Sequence, residues 1–127
     1  MALLLHQKAS AWLQSLEAEP AADPSALASE LERLVELYPE FEPGLDRLGS
    51  LHEERSDYSA ALRCLGRAAA GNPHNADRWA KIAALHFHRL REPRPALKAL
   101  RNALALDESH PAAAALLAEM ERRSPAP

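Results

Sequence analysis

Apolar and small side chains recur along this chain every three or four residues, the spacing that gathers them on one face of an α-helix. This pattern repeats after 34 residues. The repeat is seen where Leu45, Leu48, Gly49 and His52 return as Trp79, Ile82, Ala83 and His86. Helix pairs of about this length stack into solenoids, which bind partners and rarely catalyse reactions. The period therefore predicts an all-α binding module built from antiparallel helix pairs.

Prolines and polar residues mark where the predicted helices begin and end. Pro39 and Pro73 lie 34 residues apart, and Asn75 is placed to cap the helix that carries Trp79. The Asp-Pro pair at 23–24 is a good helix start. A single domain, 1–127, is expected, with a degenerate helix pair (1–41, first helix 2–16, exposed loop 17–25), a repeat (42–75), a second repeat (76–110), a capping helix (111–123) and a frayed tail (124–127).

The second repeat is predicted to be one residue longer than the first. Three positions return after 35 residues instead of 34, with Ala61, Leu65 and Ala68 reappearing as Ala96, Leu100 and Ala103. The turn from Pro93 to Pro95 is favoured as the place of the insertion, because helical segments flank it and proline is tolerated only at helix starts.

Composition supports helices and argues against a membrane protein. Hydrophobic residues make up 47% of the 127 positions but aromatic residues only 5%, and Ala and Leu favour helices over strands. The longest apolar stretch, 112–118, is far shorter than the roughly 20 residues of a membrane span. The apolar run at 2–5 is too short for a signal peptide. We expect a cytoplasmic protein with no membrane segment, in which the single cysteine, Cys64, forms no internal disulfide.

Charge is unevenly distributed along the chain. Residues 1–42 carry eight acidic and two basic residues, whereas residues 76–110 carry seven basic and four acidic residues, within a formal net charge of −3. A basic region this small, with few lysines, is weak support for nucleic-acid binding. It is compatible with self-assembly, in which the acidic N-terminal part of one copy docks on the 76–110 region of the next.

The repeated residues resemble the tetratricopeptide repeat. The resemblance rests on Leu45, Leu48, Gly49, Asp57, Tyr58, Ala61, Leu65, Ala68 and Pro73 in one repeat, and on Trp79, Ile82, Ala83, Ala96, Leu100 and Ala103 in the next. It implies a right-handed solenoid of about three helix pairs plus a C-terminal capping helix, whose Ala114, Leu117 and Met120 shield the last edge. His52 and His86 stand where the family usually has tyrosine, and Glu108 replaces the closing proline.

No residue pattern predicts catalysis, a metal site or a cofactor. His52 and His86 occupy equivalent positions, where packing with one hydrogen-bonded ring nitrogen is expected. His86 and His88 lie two residues apart and so point to different faces, unlike the four-residue spacing of a helical zinc pair. His74 and His110 are predicted to be exposed in turns. The glycines form no phosphate-binding loop, and we expect no enzyme.

The resemblance implies a concave groove lined by the first helices of the repeats. The positions that correspond to the groove are Asp46, Ser50, Glu53, Asp77, Ala80, Lys81, Ala84, Phe87, His88 and Leu116. Within this set, Phe87, Ala80, Ala84 and Leu116 are expected to form an exposed apolar strip, and such strips mark contacts. The slots that grip a C-terminal carboxylate in one subclass carry Asp46, Ser50, Lys81, Ala112 and Leu116 here, so most of that clamp is absent.

Three functions follow as hypotheses. The first is an adaptor that binds a peptide or an amphipathic helix of another protein, with Lys81 selecting charge and Phe87, Ala84 and Leu116 as the apolar anchor. The second is a chaperone for a secreted or assembling subunit, resembling small bacterial secretion chaperones. The third is the self-assembling scaffold, a homo-oligomer. None of them requires a nucleic acid or a membrane.

Overall fold

A computed structural model describes residues 2–18 and 24–123. These residues form helices joined by short turns, with no strand among them, which confirms the all-α prediction. The helices are α1 (Ala2–Ala18), α2 (Pro24–Leu37), α3 (Glu42–Glu54), α4 (Tyr58–Gly71), α5 (Ala76–Ala84), a π-helical segment (Leu85–Arg89, hereafter the π segment), α6 (Pro93–Leu106) and α7 (Pro111–Arg123). The predicted loop at 17–25 is wrong at both edges, because α1 continues through Ala18 and α2 begins at Pro24. The rest of that loop and the predicted tail at 124–127 lie outside the described residues.

The chain divides into two compact units, Met1–Gly71 and Asn72–Pro127. In the N-terminal unit, α3 and α4 form the predicted close-packed pair. A Cβ atom added at Gly49 would lie 3.4 Å from Cβ of Cys64 and 3.6 Å from Cγ of Leu65, so the two helix backbones approach closely where the sequence has glycine. Leu31 and Leu34 of α2 complete this core and are fully buried.

The C-terminal unit is built around the pair α5 and α6. Asn75 begins α5 as predicted, because its Oδ1 accepts a hydrogen bond from the Arg78 amide at 3.1 Å and satisfies a backbone donor that the helix leaves open. Ala83 of α5 and Leu100 of α6 are fully buried. Trp79 is half-buried, and its indole Nε1 donates to the Pro73 carbonyl at 2.8 Å. The turn that opens the repeat is thus tied to the first helix.

The extra residue of the second repeat lies in the π segment. In α3, the Asp57 amide donates to the His52 carbonyl, five residues back, and Ser56 has φ 62°. In the second repeat, the Glu92 amide donates to the His86 carbonyl, six residues back, and Arg91 has φ 54°. The two helix ends are equivalent except for one residue, and a π-helical turn is the form that such an insertion takes within a helix.

The predicted place of the insertion, Pro93 to Pro95, is therefore wrong. Both prolines lie in the first turn of α6, where the missing amide proton costs no intrahelical bond. The connections before α4 and before α6 have the same length, residues 55–57 and 90–92. The insertion is accommodated by widening the first helix of the pair.

The capping helix α7 buries a different face from the one predicted. Ala113 and Leu116 are its buried residues, whereas Ala114 is exposed and Leu117 and Met120 are half-buried. Among the described residues, α7 contacts α5 and α6, and the face that carries Ala113 and Leu116 is the one that it buries.

Candidate functional site

In the N-terminal unit, the predicted groove residues lie along one face of α3. Asp46, Ser50 and Glu53 are spaced by four and three residues, and all three are half-buried. Each of them already has a polar or electrostatic partner in this structure. This face is acidic, and its side chains already interact with other groups. A ligand that binds the carboxylates therefore adds to those interactions or replaces them.

In the C-terminal unit, Asp77 lies at the start of α5 and contacts His110, which sequence reasoning placed in an exposed turn. His110 is buried, and its Nε2 lies 2.5 Å from Oδ1 of Asp77. The side chain of Asp77 is 89% exposed, so its second carboxylate oxygen remains accessible to a ligand. The prediction that His110 is exposed is wrong because this contact draws the ring inward.

His110 also caps α7. Its Nδ1 accepts a hydrogen bond from the Ala113 amide at 3.2 Å, as Oδ1 of Asn75 accepts from the Arg78 amide at the start of α5. Because Nδ1 is the acceptor, Nε2 must carry the proton and donate to Asp77 in the neutral ring. The signal that could have found this role is the 35-residue spacing between Asn75 and His110, although histidine is not among the preferred N-cap residues.

The predicted exposed apolar strip is not present as expected. Ala80 is 6% exposed and Leu116 is 5% exposed, so both are buried. Ala84 and Phe87 are half-buried. Of the predicted strip, the accessible apolar surface is therefore that of Phe87 and its neighbours in the π segment and at the end of α5. Leu116 does not contribute to it, because it is buried in the packing of α7.

Phe87 belongs to a cluster that joins the π segment to α7. The Arg123 guanidinium carbon lies 5.7 Å from the centre of the Phe87 ring, a cation–π distance. The ring of His88 lies edge-on to Phe87 with centroids 5.3 Å apart. Nε2 of His88 lies 2.7 Å from Oε2 of Glu119, and Arg123 pairs with the other oxygen of Glu119 at 3.2 Å. We call these four residues the Phe87 cluster.

Electrostatics within the Phe87 cluster keep Glu119 ionised. The hydrogen bond from His88 holds the pKa of the Glu119 carboxyl below its ordinary value, and the nearby positive charge of Arg123 acts in the same direction. His86 points elsewhere, as its spacing from His88 predicts, and its Nδ1 lies 3.0 Å from Oε1 of Glu92. The two histidines thus have different carboxylate partners.

Lys81 lies on α5, about one turn before Ala84 and nearly two turns before Phe87. It is half-buried and already has an interaction partner. A ligand acid would have to share or replace that partner, so the charge on Lys81 is preorganised and not freely mobile.

The described residues contain no group of three or more histidine, cysteine, aspartate or glutamate side chains arranged to hold a metal ion. Cys64 is buried, and burial raises the pKa of its thiol, which favours the less reactive protonated form. Over the ranges 2–18 and 24–123, none of the helices combines the length and apolar character that a membrane crossing requires.

No protein-family model and no curated protein sequence matches this chain. Solved structures do match. The chain is similar to MamA, with a TM-score of 0.65 and 20% identity over 88% of its length. It is also similar to the APC/C hetero-tetramer Cut9-Hcn1, with a TM-score of 0.66 and 19% identity over 93% of its length. Both are tetratricopeptide-repeat proteins.

The fold is that of a tetratricopeptide-like protein. The antiparallel pairs α3 with α4 and α5 with α6 are its repeats, and α7 takes the place of a further first helix. The chain spans 61% of the MamA chain and 23% of the matched chain in the APC/C structure. At this identity, the likeness to both tetratricopeptide proteins is one of fold.

Proposed function

We propose that this chain is a tetratricopeptide-type adaptor that binds a segment of another protein along the first helices of its repeats. The observation that carries this proposal is the likeness of fold to tetratricopeptide-repeat proteins, one of which was crystallised as a Cut9-Hcn1 hetero-tetramer. Stacked helix pairs create extended surfaces suited to peptides and helices. We place this binding in the cytoplasm.

The ligand contacts in the C-terminal unit are centred on Phe87. This half-buried ring is held by Arg123 and His88, so a ligand meets it already oriented, and less side-chain entropy is lost on binding. Ala84 lies three residues before Phe87 on the same helix face and is small, which lets a ligand backbone come close. Lys81 adds the charge that selects an acidic group. Ala80 and Leu116, being buried, support this surface from beneath.

The remaining groove positions favour a ligand that also carries basic residues. Asp46 and Glu53 lie on one face of α3, and Asp77 presents an exposed carboxylate on α5. An amphipathic helix or an extended segment with a basic or apolar anchor complements the acidic positions of either unit. A partner's C-terminal carboxylate does not, because the corresponding slots hold Asp46, Ser50 and a buried Leu116 in place of basic and amide side chains.

Affinity capture from a native lysate tests the proposal. The wild-type chain is compared with a variant that carries Phe87→Ala and Lys81→Glu, and with a control that carries Leu62→Ala and Arg67→Glu on α4. The control likewise truncates a half-buried apolar side chain and reverses a positive charge, but on the second helix of a pair. A partner captured by wild type and control but lost from the groove variant supports the adaptor. Partners retained equally by all three proteins would contradict it.

A further inference from the structure

The outer surface of α6 is a stripe of basic residues with no acidic neighbour on the same helix. Arg94, Lys98 and Arg101 are exposed and spaced by four and three residues, which aligns them on one side of the helix. The sequence of α6 from Pro93 to Leu106 contains no aspartate or glutamate. Within the part of the chain that the structure describes, none of these three bases forms an ion pair. The stripe ends near Leu106, whose residue surface is 41% exposed.

The equivalent helix of the degenerate first helix pair, α2, carries the opposite charge. Helices α2 and α6 each have 14 residues, begin with proline and end with leucine, and their ends lie 69 residues apart. On α2, Glu32 and Glu36 are exposed and four residues apart. Glu30 is engaged within α2 itself, because its carboxylate pairs with the Arg33 guanidinium at 3.5 Å. Leu37, which directly follows Glu36, is 63% exposed.

We propose that the basic stripe of α6 binds α2 of a second copy of this chain. The carboxylates Glu32 and Glu36 are separated along the helix by about 6 Å, at 1.5 Å per residue, which is close to the separation of Lys98 and Arg101. With the two helices side by side and parallel, Glu32 and Glu36 lie within a turn of these bases. The same register places the exposed Leu37 within about one turn of the exposed Leu106 at one end.

Local charge complementarity selects this partner. The chain as a whole has a formal net charge of −3, so two copies repel one another on average and associate only through surfaces of opposite sign. The stripe of three bases is short for the phosphate backbone of a nucleic acid, and it has no aromatic side chains for base stacking. A helix with two matched carboxylates and an exposed leucine fits its length.

The contact has a specific symmetry and a specific salt dependence. It joins α2 of one copy to α6 of the next, so it is a head-to-tail contact. In a pair of copies, one α2 surface and one α6 surface remain available to further copies. The charged side chains are exposed, and salt screens such pairs over about 10 Å at 0.1 M ionic strength. We therefore expect association that grows with protein concentration at low salt and is lost at high salt.

Complementary charge reversal tests the proposal. One variant carries Glu32→Lys and Glu36→Lys, and the other carries Lys98→Glu and Arg101→Glu, with mass measured by sedimentation equilibrium. Wild type is expected to exceed the monomer mass at low salt, whereas each variant alone remains a monomer. Mixing the two variants is expected to give a heterodimer that grows no further, because each supplies only one working surface. Combining all four reversals in one chain is expected to restore self-association.

A control with the same charge change separates this site from a general charge effect. Glu54→Lys together with Glu121→Lys alters two exposed acids outside α2 and is expected to self-associate at least as strongly as wild type. A wild-type chain that stays monomeric at low salt and high concentration would overturn the proposal. So would self-association that both reversals leave unchanged. Single-stranded nucleic acid that binds wild type and is lost with Lys98→Glu and Arg101→Glu, without self-association, would assign the stripe to that ligand instead.

Discussion

Ser56 and Arg91 lie 35 residues apart and end the first helices of the two repeats in the same left-handed backbone conformation, with φ of 62° and 54°. In each case, the amide of the next residue closes the helix by donating to a histidine carbonyl, that of His52 or His86, at 2.8 Å. The left-handed conformation is disfavoured for side chains with a Cβ atom. Both helix ends therefore hold the same backbone strain.

Glycine at these two positions is expected to stabilise the protein. Ser56→Gly and Arg91→Gly each remove a left-handed penalty of about 1–2 kcal/mol, which is partly offset by the greater freedom of glycine in the unfolded chain, about 0.5–1 kcal/mol. Chemical denaturation should show a higher free energy of unfolding for each variant than for wild type. The control Arg63→Gly, in the middle of α4, should lose about 1 kcal/mol. Destabilisation by all three changes would contradict the backbone strain described at the two helix ends.

Deleting the inserted residue is expected to be tolerated. Without His88, the sequence from Leu85 to Glu92 has the same length as Leu51 to Asp57, so the helix can close with a five-residue bond as α3 does. Deleting Lys98 instead turns Leu100 and Ala103 about 100° away from the core. Thermal unfolding is followed by circular dichroism. The His88 deletion should keep a cooperative unfolding transition, whereas the Lys98 deletion should lose cooperative unfolding of the C-terminal unit. Equal damage from both would refute the π segment as the site of insertion.

The crossing of α3 and α4 should not accept a large side chain at Gly49. A Cβ there makes ordinary contacts with Cys64 and Leu65, but the further atoms of leucine have no space. Gly49→Leu is expected to cost about 1–3 kcal/mol through overpacking. The matched control is Gly66→Leu, because no atom lies within 4 Å of a Cβ at this exposed position of α4. Melting temperatures that fall equally for both variants would count against the packing described.

The two hydrogen bonds of His110 can be separated by substitution. His110→Ala removes both the cap of α7 and the contact with Asp77, and loss of a cap alone costs about 1 kcal/mol. His110→Asn can keep the cap in the way that Asn75 caps α5, so it should recover part of the lost stability. Urea denaturation at a pH where histidine is neutral measures both. An asparagine variant as unstable as the alanine variant would show that the cap contributes nothing.

The repeat pattern predicted most of the helices and their buried faces, because small and apolar residues at helical spacing leave few alternatives. The position of the insertion could not be predicted. The change from a 34-residue to a 35-residue spacing lies anywhere between His86 and Ala96. The prolines at 93 and 95 favour a place at the start of α6, where the structure has a regular first turn. The face that α7 buries depends on how it packs against α5 and α6, which the local pattern does not encode.

The candidate site was less predictable than the fold. Its residues were assigned from the repeat, but the burial of Ala80 and Leu116 depends on how α5, α6 and α7 pack together. The Phe87 cluster requires contacts between residues more than 30 positions apart, such as His88 and Glu119. Sequence spacing alone shows neither of these effects.

The most direct test of the adaptor is an equilibrium binding titration with the captured partner segment. Wild type, the Phe87→Ala and Lys81→Glu variant, and the Leu62→Ala and Arg67→Glu control are titrated under the same salt conditions, after circular dichroism shows that all three are folded. We expect the groove variant to bind at least tenfold more weakly, about 1.4 kcal/mol, and the control to match wild type. An affinity of the groove variant within twofold of wild type would contradict the site.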